Sequence, residues 1–131
     1  CSPAADGAPL HSFNAGVDHV VQVLQYSAES GIGQIKRVAL GNKLASTKTQ
    51  VAFTAHLASV LRTMALDGRG VAWLPLSLIE EDLEAHRLVK ATQDERFDVP
   101  LHICLYRTKE PAGAAGEALW AAAVNAGSTP L

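Results

Sequence analysis

The apolar positions of this chain change their period repeatedly, and the changes mark out its elements. Val20-Val21-Gln22-Val23-Leu24-Gln25-Tyr26 is almost continuously apolar and rich in β-branched residues. That pattern predicts a strand buried in a parallel sheet. A polar stretch containing Gly31 and Gly33 follows. Ile32, Ile35 and Ala39 then fall at helical spacing, and Gly41-Asn42 supplies a stop. The strand–turn–helix unit recurs. Gln50 to Thr54 reads as a strand and His56 to Asp67 as a helix. Leu57, Val60, Leu61, Met64 and Ala65 share one face of that helix. Gly68 is placed for a left-handed C-cap.

Val71 to Leu74 predicts a short strand that ends at Pro75, which has no amide to donate to a ladder. Ser77-Leu78-Ile79-Glu80 matches a capping box ahead of a helix from Leu78 to about Glu84. Arg87 to Ala91 reads as a strand, Gln93 to Asp98 as a charged loop, and Leu101 to Tyr106 as another strand. Pro111 suits a first helical position. An Ala-rich run to about Ala126 predicts a final helix with Leu119, Trp120 and Val124 as its large contacts, followed by a frayed tail from Gly127 to Pro130. The first 19 residues hold at most one short strand. Strands alternating with helices make the class α/β with a mainly parallel sheet flanked by helices.

At 131 residues the chain is of single-domain size. Apolar residues are 48% and charged residues 18%, which excludes a disordered or collagen-like chain. The net charge is −2, and the 11 Lys and Arg are scattered, so no stripe for phosphate binding forms. No stretch approaches the ~20 apolar residues of a membrane helix. Cys1 and Cys104 make neither a CxxC pair nor a zinc spacing, and they read as free thiols in a reducing cytoplasm. No signal peptide is visible. A chain that starts at Cys1 rather than Met reads as a fragment or a processed product.

Two helix starts carry the candidate chemistry. Gly31-Ile32-Gly33 follows a strand and opens a helix, but Lys36 stands where a dinucleotide fingerprint needs its third glycine. A Gly-eased helix start is the plain reading. A small anion or polar ligand held by Ser27, Ser30 and free amides is the functional one. Thr54-Ala55-His56 sits at the carboxyl end of the second strand, where open α/β sheets collect ligands. There Thr54 either contacts a ligand or merely N-caps the helix. The histidines at 11, 19, 56, 86 and 102 show no zinc spacing, so no metal is expected. His102 and Cys104 share a strand face and read as packed against a helix rather than as a nucleophile pair. The carboxylates of Glu80-Glu81-Asp82 and Asp94-Glu95 read as solvated, and Met64 as a core residue. No nucleophile elbow or Walker loop is present, so no catalytic residue and no cofactor is assigned.

The stretch from Leu61 to Pro75, Leu-Arg-Thr-Met-Ala-Leu-Asp-Gly-Arg-Gly-Val-Ala-Trp-Leu-Pro, resembles the LysR-type transcriptional regulators. Its amphipathic helix ends in a Gly-x-Gly turn and then a short strand closing on Leu-Pro. Leu78 to Leu83, Arg87-Leu88-Val89, Pro100 to Arg107 and Leu119-Trp120 keep the family's order downstream. Gly7 to Leu10 and Leu24 to Ser27 keep it upstream. The Ala-Leu-Asp-Gly-x-Gly-x-Ala-Trp-Leu-Pro wording is similar to the hypochlorite-responsive subgroup.

The resemblance implies a Rossmann-like lobe of a type II periplasmic-binding-protein-like domain. Residues 1–108 would be the second lobe of the effector-binding domain. Residues 109–131 would be a C-terminal helix and tail that pack on a first lobe absent here. Effector contacts would map to Tyr26, Ser27, Ala28, Thr54, Ala55 and His56, and any redox sensing to Met64 or Cys104. A small-molecule effector and a homodimer are implied, in the cytoplasm and away from membranes. DNA would be bound only through an N-terminal helix-turn-helix that this chain lacks. Two other readings compete. One is a fragment of a periplasmic solute-binding protein, disfavoured by the Gly-x-Gly turn, the Leu-Pro strand end and the lack of paired cysteines. The other is a small α/β enzyme using His102 and Cys104.

Overall fold

A computed structural model describes residues 1–13 and 19–127. In order the elements are β1 (Val21–Tyr26), α1 (Gly31–Leu40), β2 (Thr49–Ala55), α2 (Ala58–Leu66), α3 (Leu76–Glu84), a 3-10 turn (Glu95–Phe97) and α4 (Gly113–Ala126). The chain divides into two compact units, Cys1–Pro100 and Leu101–Leu131. The tail residues 128–130 lie outside the described residues.

In the first unit β1 and β2 pair in parallel, as their apolar runs predict. The register runs from Val21↔Thr49 to Tyr26↔Ala55, with a bulge between Val23 and Leu24 that leaves Ala52 without a partner. On its other edge β1 meets the chain at Val71. The Leu24 amide donates to the Val71 carbonyl at 2.8 Å and the Val71 amide to the Gln22 carbonyl at 2.9 Å. A Cβ on Gly70 would stand 2.7 Å from the Gln22 carbonyl oxygen, so this approach requires glycine.

Both faces of β1 are covered. Leu24 and Tyr26 join Leu61, Ala65 and Leu88 in one cluster. Val21 and Val23 join Cys1 and Val71 in another, with Phe13 and Trp73 packed against it. β2 carries the same β-branched signal but leaves Val51 and Phe53 exposed.

Several sequence expectations are corrected here. Val71 to Leu74 makes a single parallel bridge at Val71 instead of a strand. Beyond it the Trp73 carbonyl accepts the Tyr26 hydroxyl at 3.0 Å, a side chain taking the place of a ladder partner. The capping box does not form. Pro75 already holds the extended N-cap conformation, so α3 begins at Leu76 and Ser77 lies inside it. Thr54 does not cap α2, because β2 runs on through Ala55 and the N-cap falls on Leu57. Arg87 to Ala91 is no strand, although the Val89 amide donates to the Cys1 carbonyl at 2.8 Å and the Phe13 amide to the Ala91 carbonyl at 3.2 Å. The loop at Gln93 to Asp98 contains the 3-10 turn, capped by Asp94, which also pairs with Arg96.

Asp82 is the sharpest correction. Its carboxylate is fully buried. It accepts from Arg62 Nη2 at 2.9 Å and from Arg87 Nε at 2.9 Å. The pair ties α2 to α3 and to the turn beyond. A buried carboxylate persists only with such partners. The periodicity gave no sign of it because an acidic triplet looks solvated whichever member turns inward.

In the second unit Leu101 to Tyr106 forms no strand, and Ile103 is 79% exposed. β-propensity needs a neighbouring strand, and this unit contains none among its described residues. His102 and Cys104 are exposed rather than packed against a helix. Pro111 precedes α4 by two residues rather than opening it. Leu119 is 65% exposed, and Val124 is exposed too. Trp120 is half-buried, with the Arg107 guanidinium 4.7 Å from its ring centroid. Arg107 Nη1 also donates to Glu117 Oε2 at 2.7 Å.

The hydrogen bond from Arg62, followed by that from Arg87, holds the Asp82 carboxyl below the ordinary carboxylate range. The stability this gives is complete above that range and is lost as the pH falls through the depressed folded value. D82N is expected to lower Tm at pH 7 by about 5 °C or more. The gap from the parent chain should narrow as the pH falls below the carboxylate range. Thermal unfolding from pH 7 downward checks this; a gap that stays constant would contradict it.

Candidate functional site

Parallel pairing brings the carboxyl ends of β1 and β2 side by side, with Gln25 opposite Thr54 and Tyr26 opposite Ala55. The Ser27 amide carries the ladder one step further by donating to the Ala55 carbonyl at 2.9 Å. The two chains then turn into their helices, and the first side chains past the ladder meet. Ser27 Oγ lies 3.1 Å from His56 Nδ1. Residues 29 positions apart in sequence thus share one polar junction, which is exposed to solvent.

The two helix starts at this junction differ. Ser30 caps α1, its Oγ accepting from the Gly33 amide at 3.3 Å. Leu57 stands at the N-cap of α2 and offers no side-chain acceptor. The first amides of α2 therefore keep their capacity to donate, beside Ser27 and His56. Such an arrangement can hold a polar or anionic group. Among the described residues no cluster of His, Cys, Asp and Glu could hold a metal.

The other residues singled out from sequence fall into different surroundings. Thr54 is exposed at the end of β2, and Ala55 is half-buried. Ala28 is exposed, and its carbonyl accepts from Arg37 Nη2 at 2.9 Å. Tyr26 is 1% exposed and points into the core. Burial pushes its phenol up to about 12, and its hydroxyl is already engaged with Trp73. Met64 is half-buried against the Leu24–Tyr26–Leu61 cluster, as a core residue should be. Cys104 lies in the other unit, exposed.

Sequence reasoning passed over why Gly33 is glycine. A Cβ there would come within 2.7 Å of the Tyr26 Cβ. Gly33 lets the first turn of α1 settle directly on β1, and that fixes where Ser27 and Ser30 stand. The Gly-x-Gly spacing was the available signal; it marked a close approach of helix to strand rather than a phosphate loop.

Comparison with known proteins bears on the fold. Residues 3–127 match the family described as LysR substrate binding domain. The HTH-type transcriptional regulator YjiE of Escherichia coli K12 is 28% identical over 120 residues, covering 92% of this chain and 38% of that protein. The regulatory domain of HypT from Salmonella typhimurium, in its apo form, superposes with a TM-score of 0.78 at 22% identity, over 95% of this chain and 57% of that one. Full-length HypT, described as a hypochlorite-specific LysR-type transcriptional regulator, superposes at 0.75 and 22% identity, over 95% of this chain and 41% of that one. The chain thus spans about two fifths of the length of the full-length relatives it matches.

Because the Cβ of an alanine at 33 would meet Tyr26, G33A must either push α1 outward or distort β1. The expected loss is about 1–3 kcal/mol of stability, read as a lower urea midpoint. A midpoint equal to the parent's would show that α1 does not rest on β1 as described.

Proposed function

The chain belongs to the LysR substrate-binding-domain family and is a regulatory domain of the LysR type, and on that premise we propose that it senses a small polar or anionic effector at the carboxyl ends of β1 and β2. One observation carries the reading: the exposed junction of Ser27 and His56, 3.1 Å apart, beside an uncapped α2. Thr54 borders it on β2, while Ala28 and Ala55 supply backbone. Tyr26 contributes from beneath by holding the end of β1 against Trp73.

The effector acts by binding one arrangement of this lobe and its neighbouring lobe better than another. Residues 1–108 form the second lobe of the effector-binding domain. Residues 109–131 belong against a first lobe outside this chain, and α4 has the exposed apolar surface such packing would use. DNA is bound through a helix-turn-helix outside this chain, in keeping with the HTH-type name of the Escherichia coli relative. The protein works in the cytoplasm as a homodimer, and its role involves no catalysis. No helix among the described residues is long and apolar enough to cross a membrane. The relatives described above are regulators, which favours this reading over a periplasmic solute-binding protein.

The test is an NMR titration of the regulator with a panel of small polar metabolites. A true effector shifts the signals of Ser27, Thr54 and His56 first. S27A and H56A should each weaken it by up to about tenfold, the worth of one good hydrogen bond. Saturable binding that both variants leave untouched would rule the site out.

A second reading is oxidant sensing, favoured by the exposed thiol of Cys104 and by the description of HypT as hypochlorite-specific. Exposure orders the targets: Cys104 should oxidise before the half-buried Met64. Peptide mass mapping after stoichiometric hypochlorite checks the order. Oxidation of neither residue would end this reading.

A further inference from the structure

Lys36 is the one lysine buried among the described residues, at 9% exposure. An ammonium withdrawn from water needs a counter-charge or hydrogen-bond partners. None of the side-chain ion pairs among the described residues includes Lys36. Its Nζ lies 4.6 Å from the ring centroid of Trp73. Trp73 is itself fixed, its Nε1 donating to the Phe97 carbonyl at 2.9 Å and its ring 5.6 Å from that of Phe13. The π face offsets part of the charge but accepts no conventional hydrogen bond. Burial first, then the neighbouring charge of Arg37, lower the Lys36 ammonium from its ordinary value. Both influences mark a site short of negative charge.

Lys36 also lines a cavity of about 380 Å³. Arg37 lines it too, with one guanidinium nitrogen anchored on the Ala28 carbonyl. Gln25 adds an amide from β1, while Leu40 and Leu44 give an apolar wall. No acidic residue lines the cavity. Ser27, Thr54 and His56 are also absent from its lining, so it is distinct from the strand-end junction. A point-charge ammonium, a forked guanidinium and an apolar wall together suit a carboxylate on a short apolar body. The volume is within the range of small-molecule sites.

We propose that this cavity is a second ligand site, binding a small organic carboxylate through Lys36 and Arg37. The carboxylate supplies the counter-charge that the fold withholds from Lys36. Gln25 hydrogen-bonds one of its oxygens, and the apolar body lies along Leu40 and Leu44. The site adjoins Tyr26 and Gly33, the pair that sets α1 on β1, so occupancy would stiffen the α1–β1 contact beneath the effector junction.

The test titrates the natural polypeptide carrying this chain with hexanoate, and with hexanamide as the neutral analogue of the same shape. Hexanoate should bind saturably, shift the amide signals of Lys36, Arg37 and Leu40, and bind at least tenfold tighter than hexanamide. K36M should weaken hexanoate at least tenfold, as R37Q should to a lesser degree, while S27A and H56A leave it unchanged. Because K36M removes a buried charge, R37Q on the rim serves as the variant less exposed to folding effects. Equal binding of hexanoate and hexanamide would overturn the proposal. So would hexanoate binding that survives both K36M and R37Q, or that is lost in S27A or H56A.

Discussion

Everything in the first unit hangs on β1 being covered on both faces and engaged along both edges. Alternate side chains enter two separate clusters, one around Leu61 and Ala65 and the other around Val71. β2 takes one edge and Val71 the other. A strand in that position has no face on which to place a charge, and a one-residue slip in its register would exchange the two clusters. The two glycines of close approach serve the same constraint. Gly33 brings α1 onto the Tyr26 end, and Gly70 brings the returning chain onto Gln22.

The candidate site is a consequence of that arrangement. Because β1 and β2 are parallel and nearly in step, their ends coincide, and the chain can only leave them on the same side. Ser27 and His56 are the first side chains released from the ladder, so they meet. The bulge at Ala52 takes part in this by setting the register in which Tyr26 faces Ala55. α1 then divides two possible binding roles. Its start, capped by Ser30, borders the strand-end junction, while Lys36 and Arg37 in its body face the cavity beside Leu40 and Leu44.

Two buried charges of the unit are handled differently. Asp82 holds α2 and α3 together through Arg62 and Arg87, and all three carry charge that is internally satisfied. Lys36 is the opposite case, a buried cation whose nearest partner is an aromatic face. Both are charged residues on helices, and the sequence reading assigned Asp82 to a solvated surface. Which one is neutralised from within depends on what the neighbouring elements bring close, and that is a property of packing.

Periodicity and turn chemistry by themselves determined the α/β class, the parallel pairing, the strand–turn–helix repeat and the left-handed turn at Gly68. These are local properties, set by side-chain spacing and backbone preference. The order of residues around Leu61 to Pro75 carried the family, which the match over residues 3–127 bears out. Nearness of the two helix starts was legible too, since both follow strands of one sheet. Tertiary structure alone decided the rest. Val71 to Leu74 and Leu101 to Tyr106 have strand composition, yet a strand exists only where another edge accepts its hydrogen bonds. Ser77 has a cap's sequence, but Pro75 had already begun the helix. Asp82 looks like a surface charge until the fold buries it, because burial is decided by neighbours distant in the chain.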